Sequence, residues 1–175
     1  MKTLMLTVAL LLAIVLPAHS GTTTVSVGQM DGHSVTRGRC VNPGYYLDIE
    51  HSDIQFTVWD FMAIDIGWLV TASKYETASR EFAGGEEWNQ KQKLSITPSV
   101  YIKPSVTYGN LTAYLSYGTG LDWMQEVGIS TGHFVGRGLT FKVTERVSAG
   151  WIQREYYRSD TGNYRTDSLT IIVNF

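Results

Sequence analysis

From Gln92 to Lys103 the chain alternates without a break. Leu94, Ile96, Pro98, Val100 and Ile102 fall on one side; Lys93, Ser95, Thr97, Ser99, Tyr101 and Lys103 fall on the other. Successive side chains of an extended strand point to opposite faces. The stretch therefore reads as a strand with one apolar and one wet face. The pattern returns in Met62–Val70, Leu111–Tyr117, Leu139–Val143, Val147–Trp151 and Leu169–Phe175, where Ile172 is the exception. No helical period of useful length competes with it.

The alternation predicts eight strands, at 22–30, 44–57, 61–76, 90–103, 111–121, 127–143, 147–159 and 164–175. Parity breaks near His51–Asp53, which predicts a bulge there. Val58-Trp59-Asp60, 104–110 and Thr144-Glu145-Arg146 read as short connections. Segments 31–43, 77–89, 122–128 and 160–163 read as longer polar ones. Most predicted strands exceed the five or six residues usual in a soluble sandwich and meet the roughly 9–11 needed to cross a bilayer at a tilt. Short and long connections alternate, as in an even-stranded membrane barrel with short periplasmic turns and longer outer loops. The expected fold is all-β: an eight-stranded antiparallel up-and-down transmembrane β-barrel. A soluble secreted β domain is the competing class.

The first twenty residues read separately. Lys2 precedes an uncharged apolar run, Leu4–Leu16, interrupted only by Thr7; Pro17 and Ala18-His19-Ser20 follow. That is the layout of a secretory signal peptide cleaved after Ser20. The run is too short to span a bilayer as a helix. The expected organisation is a signal peptide at 1–20 and one barrel domain at 21–175. The whole chain carries 14 basic and 16 acidic residues, a net charge of −2. With no basic stripe, no nucleic-acid partner is expected. Cys40 is the only cysteine, so disulfides do not hold the fold.

An eight-stranded barrel has a lumen just wide enough for side chains to fill. The inward set predicted by parity is Tyr46, Asp48, Glu50, Asp65, Lys93, Tyr101, Lys103, Tyr114, Lys142 and Arg154. Buried charges must be paired, so Asp48, Glu50, Asp65, Lys93, Lys103 and Lys142 are expected to form a polar network that plugs the lumen. That argues against a small channel. Phe56, Trp59, Tyr108 and Phe175 fall near the short-turn end; Trp68, Tyr117, Trp123 and Tyr157 fall near the other. Two such groups suit the aromatic belts of a membrane interface.

The segment Leu139-Thr-Phe-Lys-Val-Thr-Glu-Arg-Val-Ser-Ala-Gly-Trp151 resembles a strand–turn–strand of the small outer-membrane barrels. The ending Leu169-Thr-Ile-Ile-Val-Asn-Phe175 is similar to their assembly signal, which Leu169, Ile171, Val173 and Phe175 would carry. Val58–Gly67 is a further match. Over 21–175 the chain resembles the OmpA transmembrane domain and the OmpX/Ail class. The resemblance implies an outer-membrane location and insertion by the barrel assembly machinery. It also implies contact with outer-membrane lipids and lipopolysaccharide, and a role in envelope integrity, adhesion or binding a host or surface ligand through the loops. A monomer is expected.

Some small outer-membrane barrels modify lipid A acyl chains, which makes such an enzyme the alternative. Candidates for a nucleophile, base and orienting acid are Ser130, His133 and Glu126. Ser130 and His133 are three apart, so alternation sends them to opposite faces. His133 is followed by Phe134-Val135, so the deacylase spacing of His and Ser two apart is absent. No catalytic set, metal site or cofactor is therefore expected. His33 and His51 lack ligand spacing; Glu81, Glu86 and Glu87 read as a solvated acidic loop. Arg137, Arg154, Arg158 and Arg165 lie toward the outer ends of the last three strands. They are candidates for contact with lipopolysaccharide phosphates.

Overall fold

The alternating stretches form eight antiparallel strands: β1 (Thr22–Gly32), β2 (Arg39–Trp59), β3 (Met62–Arg80), β4 (Trp88–Tyr108), β5 (Leu111–Met124), β6 (Gly128–Lys142), β7 (Val147–Arg158) and β8 (Tyr164–Asn174). The computed structural model describes residues 21–32, 39–80, 88–124, 128–158 and 164–174. The expected signal peptide and Phe175 lie outside them. Each strand pairs with its sequence neighbours, and β1 pairs with β8, closing the sheet. A path through paired residues from Thr22 passes Ser52, Gly67, Tyr101, Gly118, Phe134, Tyr156 and Tyr164 and returns to β1 at Gly32. That stagger of ten residues tilts the strands against the barrel axis.

The wall is apolar outside and polar inside. Val100, Ile102, Leu115, Leu139, Leu169 and Ile171 all point outward and are exposed, while Asp48, Glu50, Lys103 and Arg154 are buried within. In water this surface would be one continuous apolar patch. A bilayer solvates it, and the closed sheet leaves no unpaired strand edge in the hydrocarbon. The barrel therefore spans a membrane.

Three connections at one end, the turn end, are short: Asp60-Phe61, Gly109-Asn110 and residues 143–146. Gly109 has φ +59°, the left-handed geometry a two-residue hairpin turn requires. The four other connections lie at the loop end, between β1 and β2, β3 and β4, β5 and β6, and β7 and β8.

The predicted order and number of strands match the structure, and β2 breaks register between Ser52 and Ile54 where parity predicted a bulge. Two expectations are corrected. Strands reach further toward the loop end than predicted: β2 starts at Arg39, β3 runs to Arg80, β4 starts at Trp88 and β5 runs to Met124. Backbone pairing continues there past the end of the clean alternation. Residues 104–108, read as part of a connection, belong to β4. Proline lacks an N–H, and the β4–β5 pairing drops out at 97–98 and 103–104, around Pro98 and Pro104. The β3–β4 side stays in register through both, so the prolines interrupt one ladder without ending the strand.

A closed barrel of this kind resists detergent until heated. We expect the protein, extracted from a membrane fraction, to migrate differently on a gel before and after boiling. Identical mobility would show that the sheet does not close.

Candidate functional site

The middle of the lumen holds one continuous network of charged groups. Asp48 and Glu50 are two apart on β2 and so share its inward face. Across the lumen Arg154 of β7 is wholly buried. Its Nη1 donates to Asp48 Oδ2 and its Nη2 to Glu50 Oε2. Glu50 Oε1 accepts from Lys103 Nζ at 2.5 Å. Lys103 also lies 3.6 Å from Asp65 Oδ2, its cross-strand partner on β3. Asp65 Oδ1 accepts from Gln55 Nε2 at 2.8 Å. Rings frame the cations. Lys103 Nζ is 5.5 and 5.3 Å from the Tyr101 and Tyr114 centroids, and the Arg154 guanidinium is 5.8 Å from that of Phe134.

Toward the loop end the lumen is filled by Met30, Tyr46, Leu69, Phe134, Tyr156 and Tyr164. Tyr156 stacks on Tyr164 at 4.5 Å, and its hydroxyl lies 2.9 Å from Thr71 Oγ1. The rings find room beside glycines. The Tyr114 ring occupies the space a Cβ on Gly138 would take, and the Phe134 ring does the same at Gly118. Toward the turn end a polar cavity of about 350 Å³ opens between Asp65, Lys103 and Tyr114 on one side and Trp59, Asp60 and Phe61 on the other. The lumen is thus a vestibule at one end and a packed plug at the other.

Of the residues expected in this network, Asp48, Glu50, Asp65 and Lys103 come together. The Lys93 side chain lies outside the described residues; its backbone pairs with Tyr75. Lys142 does not join. It has inward parity but ends β6 at the turn-end mouth, where it is exposed, because parity selects a face and does not say how far the wall extends around it. Arg154, also read as a lipopolysaccharide contact, cannot be one: it faces the lumen with no exposed surface.

The other arginines separate by height. Arg137 faces outward, eight residues along β6 from Ile129. At 3.3 Å per residue and a tilt near 45°, that is about 19 Å below the loop end, beyond the reach of an arginine side chain to the rim. Arg165 lies near the loop end of β8, with Nε 3.1 Å from Asp167 Oδ2. Arg158 ends β7; its side chain is outside the described residues.

Ser130 and His133 do not meet. The Ser130 hydroxyl is buried without a partner, whereas His133 is exposed and stacks on Tyr157 at 5.0 Å. Glu126, His33, Glu81, Glu86, Glu87 and the Cys40 side chain are outside the described residues. His51 sits on the outer wall, its Nδ1 2.9 Å from Thr23 Oγ1 and its Nε2 3.4 Å from Asp53 Oδ1.

One feature of the outer wall was missed from sequence. Arg137, Gln153 and Asp167 are successive cross-strand partners on β6, β7 and β8, and they form a hydrogen-bonded row on the apolar exterior. Arg137 Nε and Nη2 donate to Gln153 Oε1 at 2.9 and 2.6 Å. Gln153 Nε2 donates to Asp167 Oδ1 at 2.7 Å. The signal was available as three polar residues at outward parity, but each strand alone reads as nearing its rim.

No protein-family model and no curated protein sequence matches the chain. Solved structures do. Neisserial surface protein A matches with a TM-score of 0.58 at 12% identity, over 90% of this chain and 98% of that one. The outer membrane enzyme PagL matches with a TM-score of 0.54 at 13% identity, over 88% of this chain and 99% of that one. This chain has the fold of the small eight-stranded outer-membrane barrels. At such identities the likeness concerns fold alone.

Arg154→Met leaves Asp48 and Glu50 buried without their guanidinium. Breaking a buried pair from one side costs about 3–5 kcal/mol, and we expect a loss of that size in urea unfolding from lipid vesicles. Adding Asp48→Asn and Glu50→Gln to the same chain should recover part of it. An unchanged midpoint for Arg154→Met would show that the network contributes nothing to stability.

Proposed function

We propose that this protein resides in the outer membrane of a Gram-negative-type cell. Its barrel serves there as a sealed platform, and the four loop-end connections carry its interactions with the surface of the envelope or of a host. The observation that carries this reading is the filled lumen: an aromatic plug above paired charges leaves the barrel nothing to transport. The apolar exterior and the likeness to outer-membrane barrels support the location. Leu169 and Ile171 face outward and are 77% and 53% exposed. With Val173 and Phe175 they would present the ending that the assembly machinery reads. Arg158 and Arg165, near the loop end, would meet lipopolysaccharide phosphates through charge-assisted hydrogen bonds. A non-enzymatic role is favoured over lipid A acyl chemistry because Ser130 and His133 occupy opposite faces of β6.

Shortening the connections at 33–38 and 81–87 to tight turns tests the reading. The shortened barrel should still reach the membrane and keep its heat-modified mobility. Cells carrying it should lose adherence to a cultured cell layer, or gain permeability to a fluorescent dye, relative to the intact protein. No change in either would sink the proposal. So would a stepwise conductance in a planar bilayer, or a lipid A mass spectrum that changes when the protein is expressed.

A further inference from the structure

The turn-end cavity, about 350 Å³ in volume, falls within the roughly 300–1,000 Å³ usual for ligand sites. It is blind, because the ion-pair network forms its floor and the aromatic plug lies behind that. Its wall carries hydroxyls from six strands: Thr22, Thr57, Ser105, Thr112, Thr140 and Ser148. A hydroxyl both donates and accepts, so the wall offers both senses of hydrogen bond on every side.

Two further features narrow the ligand. On the floor, Asp65 Oδ2 and Lys103 Nζ stand 3.6 Å apart, and both side chains keep some open surface, 9% and 5%. That separation is longer than the roughly 2.7–2.9 Å of a charge-assisted hydrogen bond. An acceptor and a donor side by side match two adjacent hydroxyls of a ligand, one donating to Asp65 and the other accepting from Lys103. At the mouth, the rings of Trp59 and Phe61 lie 5.9 Å apart with 10° between their planes. Trp59, expected from sequence in the interface belt, lines the cavity. Its ring offers an apolar face beside a polar edge, which suits the C–H face of a sugar ring. A simple anion would meet Asp65, and a simple cation would meet Lys103. An apolar ligand would strip water from the hydroxyls without replacing its hydrogen bonds. A neutral polyhydroxylated ring meets none of these penalties.

We propose that the turn-end cavity binds a saccharide, either a free sugar or the end of a longer glycan. Adjacent hydroxyls of the sugar engage Asp65 and Lys103, and a ring face lies against Trp59. Because the cavity is blind, only a chain end can enter. In the outer-membrane placement proposed above, the turn end faces the periplasm and the sugar comes from that side. The site is independent of what the loop-end connections bind.

The test uses the full chain, folded and heat-modifiable in phosphocholine micelles, which carry no sugar. Saturation-transfer NMR with glucose, N-acetylglucosamine and maltose in turn should show transfer from the protein to at least one of them. Trp59→Ala and Asp65→Asn should each weaken that binding by about tenfold or more. Trp59 is exposed, so its replacement leaves the fold intact. Trp68→Ala, on the outer wall beside His51, should leave binding unchanged. Cyclic maltohexaose, which has no end to insert, should receive no transfer. Transfer to a terminal ring of maltoheptaose would make glycan ends the source; transfer to the small sugars alone would make free sugars the source. No transfer to any of the three sugars would overturn the proposal. So would unchanged binding by folded Trp59→Ala, which would put the sugar elsewhere. Transfer to the zwitterion glycylglycine in place of the sugars would also overturn it, since a peptide would then be the occupant.

Discussion

Every backbone N–H and C=O in the hydrocarbon must find a partner within the protein, and the rest of this structure follows from that requirement. An open sheet has two edges, so β1 must pair with β8. Closing eight strands with a stagger of ten fixes the tilt and the width. The width leaves a lumen that side chains largely fill. It must be filled by whatever side chains the inward parity supplies, and on this chain those are polar and charged. The ion-pair network therefore follows from closure, and its quality decides what closure costs.

That cost is high unless the pairing is good, because burying a lone ion costs several kcal/mol even after relaxation. Here one guanidinium spans two carboxylates and one of those carboxylates is shared with Lys103. Within the central set, Asp48 Oδ1 and Arg154 Nε are left without a hydrogen-bond partner among the described residues. Tyr101, Tyr114 and Phe134 add ring faces to the cations, and glycines at 118 and 138 give two of those rings space. The aromatic plug and the ion pairs are one packing solution, and substitution at either should be felt at the other.

Strand number, order, face and the bulge near Asp53 were legible in the sequence because a period of two is a local signal. What was not legible needs a third dimension. Parity assigned Arg154 to the lumen, while its position near the end of β7 suggested the rim. Only the stagger decides between them, since it carries β7 upward relative to β2 and sets Arg154 opposite Asp48 and Glu50. Lys142 failed in the opposite sense: its parity was right and its height was wrong. Pro104 was read as a breaker because proline usually ends a central strand. It is tolerated because the lost donor falls on one ladder only.

The same stagger explains why the exterior row escaped notice. Arg137, Gln153 and Asp167 lie on three strands at different distances from their ends, and each looks like the start of a polar rim. Joined by the register they form a single line, and that line lies deep in the wall. Inside the barrel such a line would be ordinary, because lumen residues pair across a short gap. Outside there is no opposite wall, so the outer row is completed only by neighbours along the sheet. Gln153 carries the row from Arg137 to Asp167, and Arg165 closes it at the far end.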